Sequence, residues 1–192
     1  GRGVESLAGL PHHLYVQRLQ KVPPQREAAW GPVRPIVRSL LDAAMAISAA
    51  LPAGAGAGSN TWRLVYVVLL YGKAWALLLE RLAGRMQQLQ IQQPLLVIAI
   101  GAEAASGCRA LSLGVGITKT GRAHQVVCWT PDTESQVHRF TSVNALLHLG
   151  IDVIYMDMDT FLLRDPTARI LASAEGFDAL FARHADADCV NI

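Results

Sequence analysis

From Thr61 onward the chain alternates short apolar runs with amphipathic segments, and this alternation restricts the fold more than any other feature. The run TWRLVYVVLL is rich in Val, Leu and aromatic residues and reads as a buried strand. A helix follows. In GKAWALLLERLAGRMQQL the spacing puts Leu77, Leu78, Leu82 and Met86 on one side and leaves Glu80, Arg81 and Arg85 for solvent. QPLLVIAI is a second strand with Pro94 at its edge, AEAASGCRAL a short helix and HQVVCW a third strand. Thr133 with Gln136 three residues later predicts a capped helix running through Val137, Phe140, Val143, Leu146 and Leu147. Gly150 ends that helix, and DVIYMDMD is the fourth strand. Strands alternating with helices imply right-handed crossovers and a mostly parallel sheet with helices on both faces. The fold class is α/β and Rossmann-like.

The first sixty residues have a different texture. Pro23, Pro24, Pro32 and Pro35 punctuate a segment that cannot sustain a helix or a central strand. One helix fits between residues 34 and 50, where Ile36, Leu40, Leu41, Ala44, Met45 and Ile47 roughly follow helical spacing. The small residues of PAGAGAGSN then form a linker, so residues 1–60 are expected to be a stem and residues 61–192 the folded unit. Beginning at Gly1 and stopping at Ile192, the chain is expected to be a fragment truncated at its C-terminus.

Composition excludes several classes. Of the 192 residues, 52% are hydrophobic and only 17% charged, which rules out an ordinary disordered tail. The 17 Lys and Arg against 15 Asp and Glu leave a net charge of +2, too even for nucleic acid or a polybasic membrane patch. Residues 64–79 are too short for a membrane span and contain Lys73, while Pro52 and three glycines break the uncharged stretch from Ala43 to Trp62. Cys108, Cys128 and Cys189 form no CxxC pair and have no His at zinc-ligand spacing. Three cysteines leave at least one free thiol and fix no compartment.

The chemistry gathers at Asp157 and Asp159. In open α/β sheets ligands collect at the carboxyl ends of strands. Two carboxylates one residue apart at such an end can both turn toward a hard cation, which prefers oxygen ligands and completes its shell with waters or substrate phosphates. An acidic strand end that merely meets solvent is the bland alternative; the apolar strand before the pair and FLLRDP after it favour the metal reading.

GIDVIYMDMDTFLLRDP resembles the hallmark segment of the nucleotide-diphospho-sugar transferase domain found in glycosyltransferase family 77, at Gly150, Asp157, Asp159, Leu163, Arg164, Asp165 and Pro166. It departs at Leu162, where Trp is usual. LLVIAIGAEAASGCRAL is similar to the family's second strand and following helix, with Gly101 where members carry an acidic residue. In RFTSVNALLHLG, Arg139 falls near a basic residue that related enzymes of the GT-A type use around the donor nucleotide, and Asn191 matches an Asn-x-Gly segment.

The resemblance implies a GT-A fold and a metal-dependent glycosyltransferase moving a sugar from a UDP-sugar to a glycan or glycoprotein acceptor. Asp157 and Asp159 would hold Mn2+ or Mg2+, with Asp159 the direct ligand and Asp157 contacting the ribose or reaching the metal through water. Asp157, Arg139 and Asn191 would bind the donor, and residues 61–192 would be the donor-binding part. Residence on the lumenal side of the Golgi or another secretory-pathway membrane follows from the family alone. No nucleophile or base is named.

Two other classes compete. Dehalogenase-like phosphatases also carry DxD after an apolar strand, but need Thr where this chain has Phe161. A degenerate, non-catalytic transferase-like binding domain is the other. Arg164 and Asp165 are expected to form a local ion pair, Lys73 to snorkel, and the glycines of LSLGVGITKTG to form a loop that fits neither GxGxxG nor the Walker pattern. None of the six scattered histidines suggests a metal site.

Overall fold

The computed structural model describes residues 64–72, 75–114, 126–175, 182–183 and 190–191, together with Ile36, Arg38, Ser39, Leu40 and Ala43. Four strands, β1 (Leu64–Tyr71), β2 (Leu95–Ile100), β3 (Val126–Trp129) and β4 (Asp152–Tyr155), form one parallel sheet in the order β3-β2-β1-β4. Each apolar run of the sequence is thus a strand of this sheet. The expected Rossmann-like α/β architecture is what the chain adopts.

The strands read as continuous apolar runs because both faces of the sheet are covered. Tyr66, Val68, Leu70, Leu95, Val97 and Ala99 point to one face, where helix α1 (Ala76–Gln88) and helix α2 (Gly101–Gly114) pack through Leu79, Leu82, Met86, Ala104 and Cys108. Val65, Val67, Leu96, Ile98 and Ile100 point to the other, under helix α3 (His138–His148) through Ala145 and Leu146. Leu40, fully buried, and Ala43 join this second layer, and Ser39 Oγ accepts a 2.8 Å hydrogen bond from Trp129 Nε1. The helical residues at 36, 38–40 and 43 agree with the helix expected there; of the loop expected over residues 111–121, residues 111–114 instead continue α2, and residues 115–121, Lys73 and the rest of the expected stem lie outside the described residues.

Two helix expectations are corrected. On α1, Leu79 is buried and Leu77 is 55% exposed, because three consecutive leucines offer more than one apolar stripe and the sheet selects the one shared by Leu79, Leu82, Ala83 and Met86. The capping box at Thr133 does not form. Helix α3 starts at His138 behind Val137, whose N–H bonds to Ser135 Oγ at 3.2 Å, and Thr133 Oγ1 instead lies 2.8 Å from His138 Nε2. The other end behaves as expected. Gly150, at φ +74°, lets its N–H bond to the Leu147 carbonyl and that of Ile151 to the Leu146 carbonyl, closing the helix just before β4.

Cys108 on α2 and Cys128 on β3 are joined by a disulfide with Cα atoms 6.0 Å apart. Their separation of 20 residues hid the pairing in the sequence, since only the packing of α2 against β3 brings them together. After helix α4 (Thr167–Ala174), a two-stranded antiparallel sheet pairs β5 (Ala182–Arg183) with β6 (Val190–Asn191). Among the described residues, no helix is long and apolar enough to cross a membrane.

Candidate functional site

The strand order creates the site. From β1 the chain winds outward through β2 and β3, then crosses to the opposite side of β1 to form β4. Ligand crevices of open α/β sheets lie outside the carboxyl ends of the strands where the winding reverses, here between β1 and β4. Asp157 and Asp159 sit at that place.

Their local geometry follows from alternation. The Met156 N–H adds one further ladder bond to the Val67 carbonyl at 2.9 Å, and the chain then folds into a tight turn closed by Thr160 N–H on the Asp157 carbonyl at 3.1 Å. Met156, Met158 and Leu162 are buried in the layer shared with α1 and α2, while Asp157 and Asp159 are exposed. The apolar side chains root the turn; the carboxylates are left for solvent and ligand. Leu162 fills its place in this layer at 7% exposure.

Three groups fix the segment after the turn. Arg85 of α1 donates from Nε to the Leu162 carbonyl at 2.7 Å and from a terminal nitrogen to the Leu163 carbonyl at 2.9 Å, with its guanidinium carbon 5.6 Å from the centre of the Phe161 ring. Asp165 Oδ1 accepts bonds from the Thr167 N–H at 2.9 Å and the Thr167 hydroxyl at 2.6 Å, which starts α4. The expected Arg164–Asp165 pair is therefore replaced by a side-chain turn at Asp165. Finally, the buried Tyr66 hydroxyl lies 2.7 Å from Thr167 Oγ1, and Gln93 Oε1 lies 3.4 Å from the same oxygen. Burial pushes the Tyr66 phenol up to about 12.

Arg139 reaches the same sheet edge from α3. Its guanidinium carbon stands 4.7 Å from the centre of the Phe140 ring, and its buried Nε has no hydrogen-bond partner. The Tyr155 phenol is raised, first by burial and then by the negative charge of Asp157, with Arg139 opposing both. A cation from α3 and a carboxylate from the turn thus converge on one tyrosine. Asn191 lies in β6, opposite Ala182.

Gly101 has a role that the sequence pattern only hinted at. It stands at φ +84° where β2 passes directly into α2, and a Cβ added there would lie 3.0 Å from Glu134 Oε1. Glu134, from the connection between β3 and α3, brings a carboxylate to the end of β2. Its place inside the Thr133–Gln136 segment, which has the pattern of a helix cap, gives no sign of this approach in the sequence. Arg85 stands beside the apolar stripe of α1, where spacing alone leaves it to solvent, and only the loop folding back over α1 gives it partners.

Among the described residues no three His, Cys, Asp or Glu side chains gather as a metal cage. Asp157 and Asp159 supply two carboxylates, a donor set that suits Mg2+ or Mn2+ when substrate phosphates and waters complete the shell. The residues fit that ion. A cleft of about 670 Å3 opens beside the pair, between α1 and the segment Met158–Leu162.

A family comparison matches residues 90–189, more than half of the chain, to the nucleotide-diphospho-sugar transferases. Comparison with curated proteins and with solved structures gives no match.

Proposed function

The chain belongs to the nucleotide-diphospho-sugar transferase family, and from that membership we propose that it moves a sugar from a UDP-sugar to a glycan or glycoprotein acceptor, using Mn2+ or Mg2+ at Asp157 and Asp159. The observation that carries the reading is the tight turn after β4, which leaves both carboxylates exposed beside β1 while Met156 and Met158 anchor it from below. Bound there, the cation would neutralise the charge that develops on the departing diphosphate. Asp159 is the direct ligand and Asp157 supports the metal or the ribose. Arg139, close enough to Tyr155 for its charge to act on the phenol, supplies positive charge on the donor side, and Asn191 contributes from the later segment.

The family argues against the phosphatase alternative. Residence in the secretory lumen is supported by the Cys108–Cys128 disulfide, since such bonds persist in oxidising compartments and are rare in the cytosol.

Calorimetric titration of UDP-sugars with and without Mn2+, on the wild type and Asp159→Ala, tests the proposal. Binding that requires Mn2+ and is lost in the variant supports it. Equal binding by both proteins, or none by the wild type, overturns the metal site.

A further inference from the structure

We infer that the cleft between α1 and the segment after the acidic turn is a subsite for a pyranose ring of the sugar acceptor, with Phe161 as its stacking platform. The inference rests on the transferase reading above and adds the place where the second substrate is held. The cleft begins at Asp159 and runs along the α1 stripe of Leu78, Arg81 and Arg85. A sugar seated in it lies next to the position of the cation and hence of the donor diphosphate, and a transferase needs both substrates within reacting distance.

The lining suits a sugar better than a purely apolar guest. Phe161 is 72% exposed, a large loss of favourable burial for a ring of this size unless something covers it. It is nevertheless held in place. The Arg85 guanidinium stacks near the ring while anchoring the carbonyls of Leu162 and Leu163, so the platform is formed before any ligand arrives. One face of a β-D-pyranose of the gluco, galacto or xylo type presents axial C–H groups and is apolar, whereas most of its hydroxyls project outward around the ring. Phe161 and Leu78 match the C–H face; Glu80, Arg81 and Gln88, all exposed along the cleft, can take the hydroxyls. Apolar walls with a few polar groups are the usual make-up of small-molecule sites, and about 670 Å3 is within their size range.

The experiment is saturation-transfer NMR on the full chain with methyl β-D-galactopyranoside, methyl β-D-glucopyranoside and methyl β-D-xylopyranoside, in the presence of UDP and Mn2+. At least one glycoside should receive saturation from the wild type and lose it fivefold or more in Phe161→Ala, with Arg81→Gln weakening it as well. UDP affinity in Mn2+, measured on the same samples, should change less than twofold in Phe161→Ala, and circular dichroism should show the variant folded. Equal transfer to wild type and Phe161→Ala, or no transfer from a wild type that binds UDP, overturns the subsite and leaves the transferase reading standing. A wild type that fails to bind UDP overturns the reading on which the subsite rests.

Discussion

The Tyr66 hydroxyl lies 2.7 Å from Thr167 Oγ1, 101 residues along the chain, and ties the most buried tyrosine of the sheet to the first turn of α4. The neutral phenol is favoured in the fold, because burial pushes its ionisation up to about 12 from the ordinary 10. Its contribution is complete below pH 10 and is lost as pH rises from 10 toward 12, since the unfolded chain ionises first. Over that window the wild type should lose up to about 3 kcal/mol that Tyr66→Phe does not lose. Urea melts of both proteins at pH 8 and pH 11.5 check it; parallel losses would contradict the assignment.

Arg85 is expected to matter for the acidic turn out of proportion to its exposure. Its two bonds to the carbonyls of Leu162 and Leu163 are charge-assisted, and hydrogen bonds of that kind contribute about 1.5–3 kcal/mol when well made. Partial exposure puts Arg85→Met at the low end, a stability loss of about 1–2 kcal/mol. Mn2+-dependent UDP binding should weaken roughly tenfold, equivalent to about 1.4 kcal/mol, as the turn loses its support. Arg85→Lys should recover only part of it, because an ammonium cannot reproduce the planar fork. Calorimetry on the three proteins decides.

Replacing Gly101 should be costly for two separable reasons. An Ala at φ +84° is strained by about 1–2 kcal/mol, and its Cβ would also crowd the Glu134 carboxylate. Gly101→Ala should therefore unfold at lower denaturant than wild type. Adding Glu134→Ala should restore only the smaller, steric part. Full recovery in the double variant would mean that the backbone conformation costs nothing.

Reduction should loosen α2 from β3. A disulfide closing a loop of about 20 residues stabilises by about 3 kcal/mol, which for a domain of this size is a fall in Tm on the order of 10 °C. Thermal melts with and without dithiothreitol measure it, and the Cys108→Ala/Cys128→Ala protein should be insensitive to the reductant.

The sheet was legible in the sequence because strands covered on both faces are written as unbroken apolar runs, and Gly150 and Pro94 punctuate them unambiguously. The acidic turn was legible for a related reason: Met156 and Met158 alternate with Asp157 and Asp159, and period two separates what is buried from what is offered. What failed to show is whatever depends on distant packing. Leu77, Leu78 and Leu79 compete for the same stripe until the sheet chooses. Arg85, Glu134 and the Cys108–Cys128 pair draw their meaning from partners 77, 33 and 20 residues away, at Leu162, Gly101 and across α2 and β3.

The two methionines beneath the acidic turn also make its soundness a matter of sulfur chemistry. Oxidising either thioether to the sulfoxide would place a polar, bulkier group in an apolar layer and lift the carboxylates out of register. At 8% and 6% exposure Met156 and Met158 are shielded from peroxide, and part of that shield is Leu162, held down by Arg85. Resistance of the acidic turn to oxidation thus depends in part on how tightly one arginine keeps the loop closed.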